Sequence, residues 1–180
     1  MSDTAQQYDK VIDTCQDIFV KKMQDYGTAW RILRPTSITD QIYIKANRIR
    51  SIEQKGISKV NEGIVPEFIG IINYAVMGLI QLELGPGNGT SQEEILRLYH
   101  SYFQKAKALM LDKNHDYDEA WRAMRISSYT DLILMKINRT KQIEDHQGNT
   151  IISEGIDANY YDMINYAVFG LIRLVVEKEI

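Results

Sequence analysis

Val11, Cys15, Ile18 and Phe19 recur at the three-, four-, seven- and eight-residue intervals that gather apolar side chains on one face of an α-helix. The spacing predicts a helix over about Gln6 to Gln24, and a similar stretch predicts one over about Gln92 to Leu111. A third runs from about Ile38 to Glu53, after Arg34-Pro35-Thr36, with Ser37 and Asp40 placed to satisfy free amides at its start. Two further segments, about Glu67 to Leu84 and Asn159 to Glu177, are apolar nearly all round, which assigns them to the middle of a bundle.

The pattern occurs twice. Ile72-Asn73-Tyr74-Ala75-Val76 followed by Gly78-Leu79-Ile80 returns as Ile164-Asn165-Tyr166-Ala167-Val168 followed by Gly170-Leu171-Ile172, an offset of 92. Asp25-Tyr26 with Ala29-Trp30 returns as Asp116-Tyr117 with Ala120-Trp121 at an offset of 91. Arg34, Ser37, Asp40, Lys45, Asn47 and Arg48 are matched by Arg125, Ser128, Asp131, Lys136, Asn138 and Arg139, and Glu62-Gly63-Ile64 by Glu154-Gly155-Ile156. Each copy reads as a long helix, a short element carrying the tryptophan, a long helix, a polar loop and an apolar helix. The expected fold is all-α: two tandem helical modules packed as a pseudo-two-fold helical bundle, with repeat 1 over 1–84, a linker over 85–91 and repeat 2 over 92–180. Gly85-Pro86-Gly87-Asn88-Gly89 breaks the chain between them, and Thr90 and Ser91 with Glu93 and Glu94 offer capping boxes for the next helix. Gly78 and Gly170 allow either close approach of paired central helices or room for a bulky side chain.

Composition narrows the function more by exclusion. The chain has 180 residues, 44% hydrophobic and 25% charged, with 21 basic against 24 acidic side chains, so a net charge of -3 offers no strong nucleic-acid signal. One cysteine, Cys15, excludes an internal disulfide and a cysteine-based zinc site, and a reducing cytoplasm fits. The apolar stretches are broken by Asn73 and Asn165 and read as too short to span a membrane, and the first residues do not read as a secretory signal. P-loop, dinucleotide and nucleophile-elbow motifs are lacking, and the histidines have no metal-ligand spacing.

The repeated polar positions carry the candidate chemistry. Lys136 and Arg139, three apart on one helix face, are placed to hold a phosphate, and Lys45 and Arg48 repeat them; the alternative is a solvated face paired with Asp131, Glu144 or Asp145. Asp116, Asp131, Glu154 and Asp162 are candidate magnesium ligands, with stabilisation of the helix dipole as the alternative for Asp162, which stands near a helix start. Asp162 is opposed by Gly70 in copy one, so any site is expected to be asymmetric and to favour copy two. Trp30, Trp121, Tyr26 and Tyr117 are expected to anchor the short elements, with base stacking as the alternative, and Asn73 and Asn165 to make structural hydrogen bonds.

The string Lys22-x-x-Asp25-Tyr26-Gly27-x-Ala29-Trp30, followed by Ser37, Asp40, Lys45, Arg48, Glu62-Gly63-Ile64 and the Ile-Asn-Tyr-Ala-Val helix, resembles the nucleotide modification associated domain of the first type. The resemblance covers both copies and implies a nucleotide as substrate class. More remotely, the layout and Asp162 look like the all-α nucleoside triphosphate pyrophosphohydrolases of the MazG and dimeric dUTPase type, which bind magnesium through paired acidic helices. Here that pattern is broken, with Asn159 and Gly70 at acidic places. The expectation is a nucleotide-handling protein: either a magnesium-dependent hydrolase of a nucleoside triphosphate or phosphate ester, or a non-catalytic helical nucleotide-binding or protein-interaction module. Its partner is a small nucleotide or phosphate compound, and a homo-oligomer is compatible with the sequence.

Overall fold

Residues 3–55, 60–151 and 154–179 are described by the computed structural model, and among them every regular element is helical. The long helices are α1 (Thr4–Tyr26), α2 (Pro35–Lys55), α3 (Val60–Leu84), α4 (Gln92–Tyr117), α5 (Ile126–Asp145) and α6 (Ile156–Leu174). Short 3₁₀ turns at Ala29–Ile32 and Ala120–Ala123 carry the tryptophans, and a third follows at Val176–Lys178. The element order is that expected for both copies. The polar loop expected in copy one falls largely at 56–59, outside the described residues, whereas that of copy two is described over 146–151 and 154–155.

The helix ends depart from the sequence reading for local reasons. Pro35 begins α2, where its missing N–H costs nothing. Asp40 and Asp131 consequently stand beyond the first turn, and no side chain caps α5. α3 starts upstream of Pro66, so Glu62-Gly63-Ile64 is helical, whereas Gly155 in copy two stands at the N-cap of α6. Ser91 caps α4, its hydroxyl accepting from Glu94 N–H at 3.1 Å. Contrary to the sequence expectation, Gly63–Leu84 is long and apolar enough to cross a membrane, with a mean hydropathy of 1.7. Two-thirds of it is buried within the bundle, which accounts for its composition.

α3 and α6 pair at the centre, flanked by α2 and α5, with α1 and α4 packed against them. The pairing is reciprocal. A Cβ on Gly78 would stand 2.8 Å from the Tyr160 ring, and one on Gly170 would stand 3.2 Å from the Phe68 ring. Each glycine thus receives an aromatic side chain from the other copy, so close approach and room for a ring are the same device.

Buried polar groups repeat this exchange. Tyr8 Oη donates to Asn165 Oδ1 at 2.6 Å, while Asn165 Nδ2 donates to the Ala106 carbonyl at 3.1 Å. Tyr99 Oη donates to Asn73 Oδ1 at 2.7 Å, and Asn73 Nδ2 to the Cys15 carbonyl at 3.2 Å. Each amide therefore binds the first helix of its own copy and a phenol from the first helix of the other. At the α2–α5 contact, Thr39 donates to Glu144 at 3.0 Å and Thr130 to Glu53 at 3.3 Å. Lys141 pairs with Asp40 at 3.4 Å, and Arg50 approaches Asp131 at 4.0 Å.

The two matched arginines of the 3₁₀ turns fasten the chain's connections. Buried Arg31 donates to Gln81 and, at 2.9 Å, to the Gly85 carbonyl, while Gly87 N–H returns a bond to the Arg31 carbonyl at 2.8 Å. Arg122 donates to Thr4 Oγ1 and to Glu177 Oε1, both at 2.8 Å. One arginine holds the linker; its counterpart joins the first turn of α1 to the last helical turn.

Two outcomes test this packing. Asn165→Ala leaves the Tyr8 hydroxyl and the Ala106 carbonyl without their partner in the core, a loss of about 2–4 kcal/mol. Urea melts should show it as a lower midpoint at unchanged slope, and a loss under about 0.5 kcal/mol would contradict the bridge. Burial raises the Glu144 carboxyl above its ordinary value, opposed by the Thr39 bond and reinforced by Asp40 and Asp145. A raised folded pKa means that the associated stability is present below the unfolded pKa and is lost as pH rises through the folded one. Glu144→Gln should therefore raise the melting temperature at pH 7, with the advantage shrinking as pH falls towards 4.

Candidate functional site

Glu154, Asp162, Lys136 and Arg139 line one open cavity of about 650 Å³ in copy two, between α5, α6 and the loop joining them. The i, i+3 spacing on α5 puts Lys136 and Arg139 on one face, and α6 presents Asp162 opposite. Lys136 is largely buried and reaches Asp162 Oδ2 at 2.8 Å, while Lys113 from α4 reaches Oδ1 at 3.0 Å. Asp162 therefore sits between two ammonium groups. It lies in the second turn of α6, beyond the reach of a dipole effect confined to the first turn, where Asp157 stands instead. Arg139 is exposed, and among the described residues no carboxylate pairs with it.

The remaining expected ligands are elsewhere. Asp116 is exposed at the end of α4, 3.3 Å from His115, and Asp131 is exposed on α5 facing Arg50. Among the described residues no three acidic, histidine or cysteine side chains gather as a metal site. The magnesium set Asp116, Asp131, Glu154 and Asp162 is thus not assembled: the recurrence of Asp40 and Asp131 reflects the reciprocal α2–α5 ion pairs.

Copy one rearranges the same parts. Arg48 pairs with buried Glu67 at 2.8 Å, and Lys45 Nζ lies 3.7 Å from the same carboxylate. The Lys45 stem runs over Gly70, where a Cβ would stand 2.5 Å from its Cδ. Glu67 matches Asn159 and Gly70 matches Asp162, so each copy holds one carboxylate for its lysine, displaced by one helical turn. In copy one this carboxylate also engages the arginine.

A second chamber of about 420 Å³ shares Lys136 and Asp162 with the first and extends to Lys113, Asn114, Tyr117 and Tyr166. Its counterpart in copy one, beside Lys22, Tyr26 and Tyr74, is only about 150 Å³. Trp121 borders the larger chamber, but its ring stacks on Phe169 at 4.1 Å and carries the Arg122 guanidinium at 4.4 Å. Packing, rather than base stacking, is what this tryptophan does. Sequence reasoning did not single out Lys113 or Tyr166 as site residues, although both lie within the repeated blocks. Burial, reinforced by Asp162, raises the Tyr166 phenol, which therefore stays neutral.

Compared with known proteins, the chain matches the family described as nucleotide modification associated domain 1 twice, over residues 22–82 and 113–174. The chain belongs to this family. Both matches run from the end of a first helix to an apolar central one, so the shared core and the polar faces of α2 and α5 fall within them. No curated protein and no solved structure matches.

Asp162→Ala would leave the nearly buried Lys136 ammonium without its carboxylate. Its expected cost is about 1–3 kcal/mol, because an unpaired charge stays in a poorly solvated position. Thermal melts should show the loss, whereas exposed Glu154→Ala should change stability by less than about 0.5 kcal/mol.

Proposed function

We propose that this chain is a nucleotide-handling protein that holds the phosphates of its ligand in the copy-two cavity, without a metal centre of its own. The observation that carries this reading is Arg139: an exposed guanidinium, unpaired among the described residues, at the wall of a 650 Å³ cavity beside Lys136. A planar fork and a point charge on adjacent turns suit phosphate oxygens. Within the cavity Lys136 and Arg139 face Asp162 and Glu154, but Asp162 is already held by Lys136 and by Lys113 of the neighbouring chamber, which leaves Arg139 as the cation open to an anion. Lys45 and Arg48 are the weaker candidates, since Glu67 already occupies both.

The donor set does not fit a resident magnesium ion, because Asp162 is engaged by two ammonium groups and, among the described residues, Glu154 is the one other carboxylate lining the cavity. A second reading, a phosphate-ester hydrolase, has one supporting observation, the presence of those two carboxylates in the same cavity. Magnesium arriving with a nucleotide needs only one or two carboxylates beside the phosphates and would polarise the bond to be cleaved.

Titration calorimetry of the full chain against nucleoside triphosphates, with magnesium and with EDTA, tests the proposal. Binding should persist in EDTA and weaken at least about ten-fold in Arg139→Gln, a loss of about 1.4 kcal/mol, while Arg48→Gln should bind as wild type. Phosphate or pyrophosphate release with magnesium would favour the hydrolase. No binding to any nucleotide would overturn both readings.

A further inference from the structure

The two copy-two chambers meet at the Lys136–Asp162 pair, one presenting the exposed Arg139 and the other walled by aromatic rings. We propose that the second chamber is a base-binding subsite, in which a nucleobase lies against Tyr166 and Tyr117 while the phosphates of the same molecule rest on Lys136 and Arg139. This rests on the phosphate reading above and assigns the ligand as a nucleotide rather than a bare phosphate compound.

Comparison of the copies carries the argument. In copy one, Lys45 Nζ lies over the Tyr74 ring, 5.8 Å from its centroid, so that aromatic face is covered by a cation. In copy two the matching lysine is drawn to Asp162, and among the described residues no cation or ring covers Tyr166. The one-turn displacement of the carboxylate therefore uncovers an aromatic face. The chamber beside it differs in size and packing. Met110 stands where copy one has Phe19, whose ring lies between Tyr99 at 4.3 Å and Trp30 at 6.3 Å, while Phe169 stands where copy one has Met77 and stacks on Trp121 at 4.1 Å. The copy-two chamber is about 420 Å³ and its counterpart about 150 Å³.

Tyr117 supplies a second ring, 71% exposed at the rim, and neutral tyrosine faces stack on any base. Asn114, which stands where copy one has Met23, brings an amide to the same chamber. Its Oδ1 accepts from Trp121 Nε1 at 3.2 Å, and its Nδ2 faces the Met110 sulfur at 3.1 Å, a weak acceptor that a base carbonyl would replace favourably.

Fluorescence and calorimetric titrations of the full chain with the four common ribonucleoside triphosphates and with inorganic tripolyphosphate test the subsite. At least one nucleotide should bind about ten-fold or more tighter than tripolyphosphate. Tyr166→Leu and the exposed Tyr117→Ala should each erase most of that preference while leaving tripolyphosphate affinity within about two-fold. Tyr74→Leu in copy one should bind nucleotides as wild type, and circular dichroism would identify any variant that fails to fold. Equal affinity for tripolyphosphate and every nucleotide would overturn the base subsite and leave the phosphate reading standing. Binding of neither would remove both.

Discussion

Two buried amides set how the halves of this molecule meet. Asn73 and Asn165 lie on the central helices among apolar neighbours, where an unmet donor or acceptor is costly. Each completes its bonding only by taking a carbonyl from its own copy and a phenol from the other. Hydrophobic burial would tolerate many ways of stacking α3 on α6; the two Asn–Tyr pairs accept one register. The glycine sockets for Tyr160 and Phe68 agree with that register, so packing and hydrogen bonding select the same arrangement.

Given a fixed core, the polar rim of each copy can differ. Both copies keep a lysine and an arginine one turn apart, and both supply one carboxylate from the central helix. In copy one it stands at Glu67, holding lysine and arginine together beside Gly70. In copy two it stands at Asp162, holding two lysines and leaving the arginine exposed. Three residues along a helix decide whether this set of charges satisfies itself or retains a group for an outside anion.

Most of the fold was legible because duplication made the sequence its own comparison: the matched blocks marked the helices, and the Gly-Pro-Gly cluster marked the gap between them. The asymmetry at Gly70 and Asp162 was legible too. What periodicity could not convey was which partner each repeated charge would face. Asp131 recurs with Asp40 because both face basic residues across the α2–α5 contact, a relation between helices 91 residues apart in sequence. For Trp121 the sequence favours anchoring and leaves base stacking as the alternative; Phe169 and Arg122 on its two faces show the packing role. Lys113 joins the site only because α4 lies beside α6.

The paired arginines give the chain a cyclic character. Arg31 grips the linker at Gly85, and Arg122 grips Glu177, the residue that matches Gly85, together with Thr4 at the opposite end. In the pseudo-symmetric frame the linker and the meeting of α1 with the last helical turn are one location, occupied once by a continuous peptide and once by a side-chain clasp. The order in which the two copies follow one another is consequently not imposed by the fold. A circularly permuted chain, opened between Gly85 and Gly89 and closed near Thr4 and Glu177, would place the same helices on the same axis with copy two leading.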